Sequence, residues 1–248
     1  MIQIQDMPEG PSLVIAKEEM IGFKGKKVIA VSGNSKIEKE RMLQKKLLDI
    51  RTWGKHLLLY FGGFTVRIHF LMFGTYRVNE KKDAVPRLSL AFQKGELNFY
   101  TCAIKLIEEP PDEIYDWSAD VLSEDWDPKS ARKKLKALPE MMVTDALLDQ
   151  TIFSGVGNII KNEVLYRIKV HPKNKLGDLP PRKLTELINE ARNYSFDFLK
   201  WKREYTLRKH WLVHTKKTCQ RDGDKIVKEY LGRTQRRTFF CNTCQKKY

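Results

Sequence analysis

The sequence predicts an α+β protein of two domains: an N-terminal antiparallel β-sandwich over residues 1–124 and a helical domain with a metal-held hairpin at its end over residues 125–248. Three observations predict it. Up to about Glu124 the apolar residues alternate, as where Val66, Ile68 and Phe70 are interleaved with Arg67 and His69. Beyond that point the period lengthens to that of helices, with Pro128 in a first turn and Pro139 as a breaker. Finally, three of the four cysteines fall in the last thirty residues, an arrangement that suits a metal better than disulfides.

Taken in order, "MPEGPS" (7–12) leads into a helix expected over Leu13–Met20, with Ser12 as its N-cap. The stretches "KVIAVSG" and "KLLDIRTWGKHLLLYF" read as strands, and Lys55 falls at a strand start. The pair Gly62–Gly63 signals a hairpin into "FTVRIHFLMFGTYRV". "RLSLAF", the turn "QKGE" and "LNFYTCAIKLIE" extend the meander. Helices are expected for "DPKSARKKLKAL", "TDALLDQTIF", "NIIKNEVLYRI" (with Ile160, Val164 and Ile168 on one face) and the long segment opened by Pro180 and Pro181. A finger-like hairpin is expected over about 211–248. The sequence contains no internal repeat.

Lys and Arg number 46 against 31 Asp and Glu, a net charge of +15. Such an excess favours a polyanion through counterion release, which makes nucleic acid the leading partner. No apolar run is long enough to span a bilayer, and the N-terminus lacks the basic and apolar regions of a secretory signal. The expectation is a cytoplasmic monomer with reduced cysteines, associated with no membrane.

Several clusters carry chemistry. In "SGVG" followed by Asn158, glycines 155 and 157 allow a tight turn, and Asn158 is expected at the N-cap beside unpaired amides, a ready phosphate site. Cys241 and Cys244 have zinc-knuckle spacing, Cys219 supplies a third thiolate, and either Asp222 or His214 is the fourth donor. Arg233, Arg236 and Arg237 at the hairpin suit bidentate phosphate contact. The opening motif reads either as a kinked entry to a helix or as a masked N-terminus. If the chain began at Pro8, its secondary amine could attack a sugar C1′ and form an iminium, with Glu9 as proton donor and acceptor.

Together "MPEGP", "GKHLLL", "GVGNI" with "NEVL" and "HP", and "TFFC" with "CQ" resemble the formamidopyrimidine-DNA glycosylase / endonuclease VIII family of base-excision repair enzymes, in the family's order from Met7 to Gln245. The resemblance implies a β-sandwich, a helix–two-turns–helix module and a zinc-finger hairpin holding one structural Zn2+. It also implies a bifunctional DNA glycosylase and AP lyase that excises oxidised bases from double-stranded DNA and nicks abasic sites by β,δ-elimination. Pro8 then corresponds to the catalytic N-terminal proline, Glu9 to the acid that opens the deoxyribose, and Lys55 to the hairpin lysine near the lesion phosphate. Asn158 and Arg236 correspond to the phosphate-gripping residues of the helical module and the finger. Leu71, Met72 and Phe73 correspond to the loop that fills the gap left by an extruded base, with Met72 foremost.

The chain departs from the family at four places. Residues 1–7 precede Pro8, Asp222 replaces a zinc cysteine, and Ser12 stands where many members have an acid. "TCAIKL" replaces the "DPRRFG"-type loop of the purine-directed branch, and the segment from Phe198 to Cys219 is too short for that branch's lid. The last departure points to the endonuclease VIII branch and oxidised pyrimidines. Translation from Met7 with methionine removal is the expected route to a free proline. If residues 1–7 stay attached, the scaffold would be a non-catalytic binder of damaged DNA. A zinc-ribbon RNA-binding protein explains neither the start motif nor the wedge loop.

Overall fold

The computed structural model describes residues 8–248; the expected start at Met7 and the fate of residues 1–7 lie outside the described residues. The chain divides into two compact units between Asp116 and Trp117, earlier than the boundary expected at 124. The shift has a local cause: Asp120 bridges Ser154, and the Asp127 amide donates to the Ser118 carbonyl, so the segment after Trp117 is bound to the helical unit.

The first unit opens with α1 (Gly10–Met20), which starts earlier than expected. Its N-cap is Glu9, not Ser12, because Pro11 already has the fixed φ of a first turn and needs no amide partner there. Leu13, Ala16 and Met20 point inward. Eight strands follow: β1 (Val28–Ser32), β2 (Asp49–Trp53), β3 (His56–Tyr60), β4 (Thr65–His69), β5 (Thr75–Val78), β6 (Leu88–Phe92), β7 (Glu96–Tyr100) and β8 (Ala103–Ile107). They form two four-stranded sheets, β1-β6-β7-β5 and β2-β3-β4-β8, antiparallel throughout. The chain changes sheet twice at one end, from β4 to β5 and from β7 to β8. Both crossings contain a residue in the left-handed region, Leu71 (φ 54°) and Thr101 (φ 50°). Leu57, Leu59, Val66 and Ile68 of one sheet and Leu88, Leu90, Leu97 and Phe99 of the other share one core. A short helix α2 (Pro111–Ile114) follows β8.

The second unit contains α3 (Pro128–Lys136), α4 (Val143–Leu148), α5 (Asn158–Arg167), α6 (Pro181–Arg203) and the hairpin of β9 (Val227–Leu231) and β10 (Arg236–Phe240). Asp127 caps α3 by accepting from the Lys129 amide, 2.8 Å. The helix expected through Phe153 stops at Leu148. Asp149 turns its carboxylate onto the amide and hydroxyl of Thr151 (2.8 and 2.7 Å), a local alternative to helical bonding. α5 is buried on every side, not on one apolar stripe. A small separate core under the hairpin joins Tyr166, Val213, Cys219, Ile226, Phe239 and Cys241.

Candidate active site and metal centre

In the first unit, Pro8 is half-buried immediately ahead of α1, and Glu9 is 1% exposed. Glu9 thus occupies the positive end of the α1 dipole, where a carboxylate is favoured. α1 packs against β2 and β3 and touches β5, so this helix start is set by the sheet that carries Lys55. Lys55 is the second residue of the two-residue turn Gly54–Lys55 and directly precedes β3.

The loop between β4 and β5 is built to expose apolar groups. Its ends are closed by the Gly74 amide donating to the Phe70 carbonyl, 2.7 Å. A Cβ on Gly74 would lie 2.1 Å from that carbonyl oxygen, so only glycine fits. The Leu71 amide donates to His69 Nδ1 at 3.1 Å, which holds Leu71 at its positive φ. Leu71, Met72 and Phe73 are left 52%, 47% and 70% exposed. Three consecutive exposed apolar side chains on a strained, stapled loop mark a contact surface, not a core.

Below the loop is a ring cluster that the sequence reading missed. His56 contacts His69, Trp53 and Tyr115, with centroids 5.5, 5.7 and 5.7 Å apart. Burial, then the positive charges of Arg67, His69 and Lys55, push the His56 pKa down to about 4, and its Nδ1 has no hydrogen-bond partner among the described residues. Burial and then Lys55 likewise hold His69 below the ordinary imidazole range. Leu57 pairs with Ile68, so the start of β3, which Lys55 precedes, lies at the same sheet end as His69 and the exposed loop that follows it. The only sequence signal for this pair is that β3 and β4 are adjacent and antiparallel with Leu57 opposite Ile68.

In the second unit, the turn between α4 and α5 is stapled by Gln150. Its Nε2 donates to the carbonyls of Leu148 and Val156 (2.8 and 3.1 Å), and its Oε1 accepts from the Gly155 amide, 3.1 Å. Gly155 takes a φ of +98°, which favours glycine, whereas Gly157 does not need one. Asn158 is the first helical residue and Gly157 is the N-cap, a one-residue correction. Asn158 is 8% exposed, and its Oδ1 has no hydrogen-bond partner among the described residues. The Asn158 side-chain amide can offer its N–H donors to an oxyanion at the positive end of the α5 dipole.

α5 also holds the finger. Lys161, fully buried, donates from Nζ to Thr238 Oγ1 at 2.8 Å. Asn162 Oδ1 accepts from the Phe239 amide, 3.2 Å. Glu163 accepts from the amides of Leu212, Val213 and His214 at 2.9, 3.0 and 2.8 Å, and burial raises its pKa above the ordinary carboxylate range in spite of these donors. Asp145 of α4 pins the hairpin tip by accepting from the Arg233 amide, 2.8 Å. Arg236 opens β10 and is exposed, as is Arg237.

Cys219, Asp222, Cys241 and Cys244 bring one donor atom each within 4.8 Å of one another. The Cys219 and Cys244 sulfurs are 3.8 Å apart, and Cys241 Sγ lies 3.2 Å from Asp222 Oδ2. A tetrahedral ion with metal–sulfur bonds of about 2.3 Å needs edges of about 3.8 Å between sulfurs. The donor set therefore fits a zinc-type ion. His214 lies outside this cluster: its Nδ1 meets Asn162 Nδ2 at 3.1 Å, its ring packs on Trp211 and Phe239, and burial pushes its pKa down to about 4. Of the two fourth donors open in the sequence, Asp222 is the one brought to the cysteines. Tyr166 OH meets Cys219 Sγ at 3.1 Å, and Arg221 donates to the Tyr166 carbonyl at 2.7 Å.

No helix among the described residues is long and apolar enough to cross a membrane. The formamidopyrimidine-DNA glycosylase H2TH domain model matches residues 118–194. Endonuclease 8-like 3 of Mus musculus is 31% identical over 206 residues, 79% of this chain and 34% of that protein. This chain thus spans about a third of the length of that relative. The DNA-(apurinic or apyrimidinic site) lyase Nei2 of Mycolicibacterium smegmatis is 26% identical over 209 residues, 79% of this chain and 81% of that protein. The fold matches Lactococcus lactis formamidopyrimidine DNA glycosylase bound to DNA containing an AP site, with TM-score 0.85, 24% identity and coverage of 96% of this chain and 100% of that one. With the two-sheet N-terminal unit, the helical unit and the cysteine-bearing hairpin all in place, the chain has the fold of formamidopyrimidine-DNA glycosylase, carries its H2TH domain over residues 118–194, and is similar in sequence to endonuclease 8-like proteins.

Proposed function

We propose that the protein is a DNA glycosylase and AP lyase that removes oxidised bases, oxidised pyrimidines foremost, through a Schiff base on Pro8. The observation that carries the reading is the buried Glu9 directly behind Pro8, at the start of a helix packed on the sheet that carries Lys55.

The Pro8 nitrogen is nucleophilic only as a secondary amine; with residues 1–7 attached it is an amide whose lone pair is delocalised. A terminal amine has a pKa of about 8 against about 10.4 for lysine, so much more of it is unprotonated at neutral pH. In the reaction its lone pair forms a bond to C1′ while the C1′–base bond breaks and the base leaves with the bonding pair. Glu9 gives a proton to the ring oxygen as the C1′–O4′ bond opens, leaving an iminium between Pro8 and C1′. Loss of a C2′ proton then expels the 3′ phosphate, and δ-elimination expels the 5′ phosphate. Lys55 supplies positive charge for the phosphate beside the lesion; on the second unit the Asn158 amide donates hydrogen bonds and the Arg236 guanidinium supplies positive charge to phosphates of the bound strand.

Met72, flanked by Leu71 and Phe73, fills the stack vacated by the flipped nucleotide and offsets part of the few kcal/mol of lost stacking. A Zn2+ held by Cys219, Asp222, Cys241 and Cys244 supplies a structural crosslink to a finger too small to have much core of its own. The test is borohydride trapping on abasic-site DNA together with the mass of the trapped chain. A covalent adduct beginning at Pro8 supports the reading; tight DNA binding without an adduct would make the protein a damage binder.

A further inference from the structure

We infer that Lys82, in the loop between β5 and β6, is a further DNA-phosphate contact placed beside the exposed apolar loop. The inference rests on the proposed DNA-lesion activity and extends it to a residue with no part in the chemistry described above. Lys82 Nζ donates to Thr75 Oγ1 at 2.5 Å, and its backbone amide donates to Tyr100 OH at 3.1 Å. The ammonium lies 5.4 Å from the Tyr100 ring centroid. Thr75 and Tyr100 are paired across β5 and β7. Thr75 follows Gly74 directly and is two residues from Phe73; Tyr100 precedes Thr101, the strained residue of the second crossing. Lys82 is therefore anchored by side chain and backbone at the sheet end from which Leu71–Phe73 emerge.

Among the described residues no carboxylate lies within ion-pair distance of Lys82: Glu80 pairs with Arg77 (3.8 Å), Glu96 pairs with Lys81 (3.3 Å), and Asp83, next in the chain, does not reach its ammonium. Burial, then Arg77, holds its pKa below the ordinary lysine range, as expected of a charge lacking its partner. A flexible lysine free to stay in water gains nothing from being tied down in this way. An anion arriving at the loop would both pair the ammonium and relieve its desolvation, and on a chain with net charge +15 the anion that suits an exposed apolar wedge is a backbone phosphate.

The experiment measures affinity for a duplex containing a tetrahydrofuran abasic analogue across a salt series, for the wild type, Lys82→Met, Lys82→Arg and Lys94→Met. Lys94 lies in the β6–β7 turn, at the opposite end of the same sheet, and controls for loss of one charge. Lys82→Met is expected to lose roughly tenfold in affinity and about 0.9 from the log–log salt slope. Lys82→Arg should keep the slope, and Lys94→Met should match the wild type. Should Lys82→Met not fold, Lys82→Gln keeps a donor for Thr75 and takes its place. A slope for the neutral variant equal to that of Lys94→Met overturns the phosphate contact, even if preference for the base opposite the lesion changes. A wild type that does not bind the duplex overturns the proposed function itself, an outcome distinct from equal slopes.

Discussion

Glu163 gives the sharpest stability prediction. Its carboxylate, fully buried on α5, accepts three backbone amides from residues 212–214 and so fastens the connector that enters the finger. Glu163→Ala would leave three buried N–H groups without acceptors. At about 1–3 kcal/mol each the upper bound is about 9 kcal/mol. Relaxation of the connector and entry of water bring the expected loss to about 3–5 kcal/mol, the range for breaking one side of a buried charged pair. For a unit of this size that is roughly 10–20 °C in Tm.

Glu163→Gln separates charge from geometry. Val213 and His214 share Oε1, so an amide oxygen there keeps both bonds, and only the Leu212 amide faces a second donor. We expect a loss of about 1.5–3 kcal/mol. The pH dependence has a defined sign. Because burial raises the Glu163 pKa in the folded state, the stability it contributes is fully present below its unfolded pKa of about 4.3 and is lost as pH rises through the higher folded value. The advantage of the wild type over Glu163→Gln should therefore shrink as pH is raised through that window. Calorimetric unfolding across pH measures both quantities. A Glu163→Ala loss below 1 kcal/mol, or an advantage that grows with pH, would refute the reasoning.

Three further outcomes are expected. Gly74→Ala drives a methyl into the Phe70 carbonyl and should abolish excision, read on lesion-bearing duplex, while binding to undamaged duplex changes less than threefold; wild-type excision rates would contradict the loop's role. Zinc content should be one per chain in the wild type, in His214→Ala and in Asp222→Cys, and should fall in Cys241→Ser, because only Asp222 of the two candidates joins the thiols; metal loss confined to the His214 variant would reverse that assignment. Arg236→Ala should weaken binding at all sequences and reduce the log–log salt slope by about 0.9, and an unchanged slope would count against its phosphate role.

Much of this was legible in the chain. Period-two alternation and the Gly62–Gly63 turn locate the end of β3 and the start of β4 within a residue, and cysteine spacing picks out the candidate metal ligands. What could not be read depends on contacts distant in sequence. Alternation does not reveal that the meander changes sheet at Leu71 and Thr101, because both crossings look like continuous strand. The choice between Asp222 and His214 depends on Asn162, which engages His214 from α5. The apolar stripe expected for α5 gives way to burial on all sides because Lys161, Asn162 and Glu163 each find partners in residues fifty to eighty positions away. Asp145, Lys82 and the His56–His69 pair are invisible to pattern reading because their partners come from other strands or helices; Gln150 closes its own turn on residues two to six positions away, and glutamine carries no turn signal.

The central claim concerns the nitrogen of Pro8, and the direct measurement is the intact mass of protein captured by borohydride on abasic-site DNA, with peptide mapping of the modified residue. A Pro8 nucleophile gives a single adduct on a chain whose first residue is Pro8, with the crosslink on that residue. An adduct on a chain that still carries residues 1–7, or one mapped to a lysine, would contradict it.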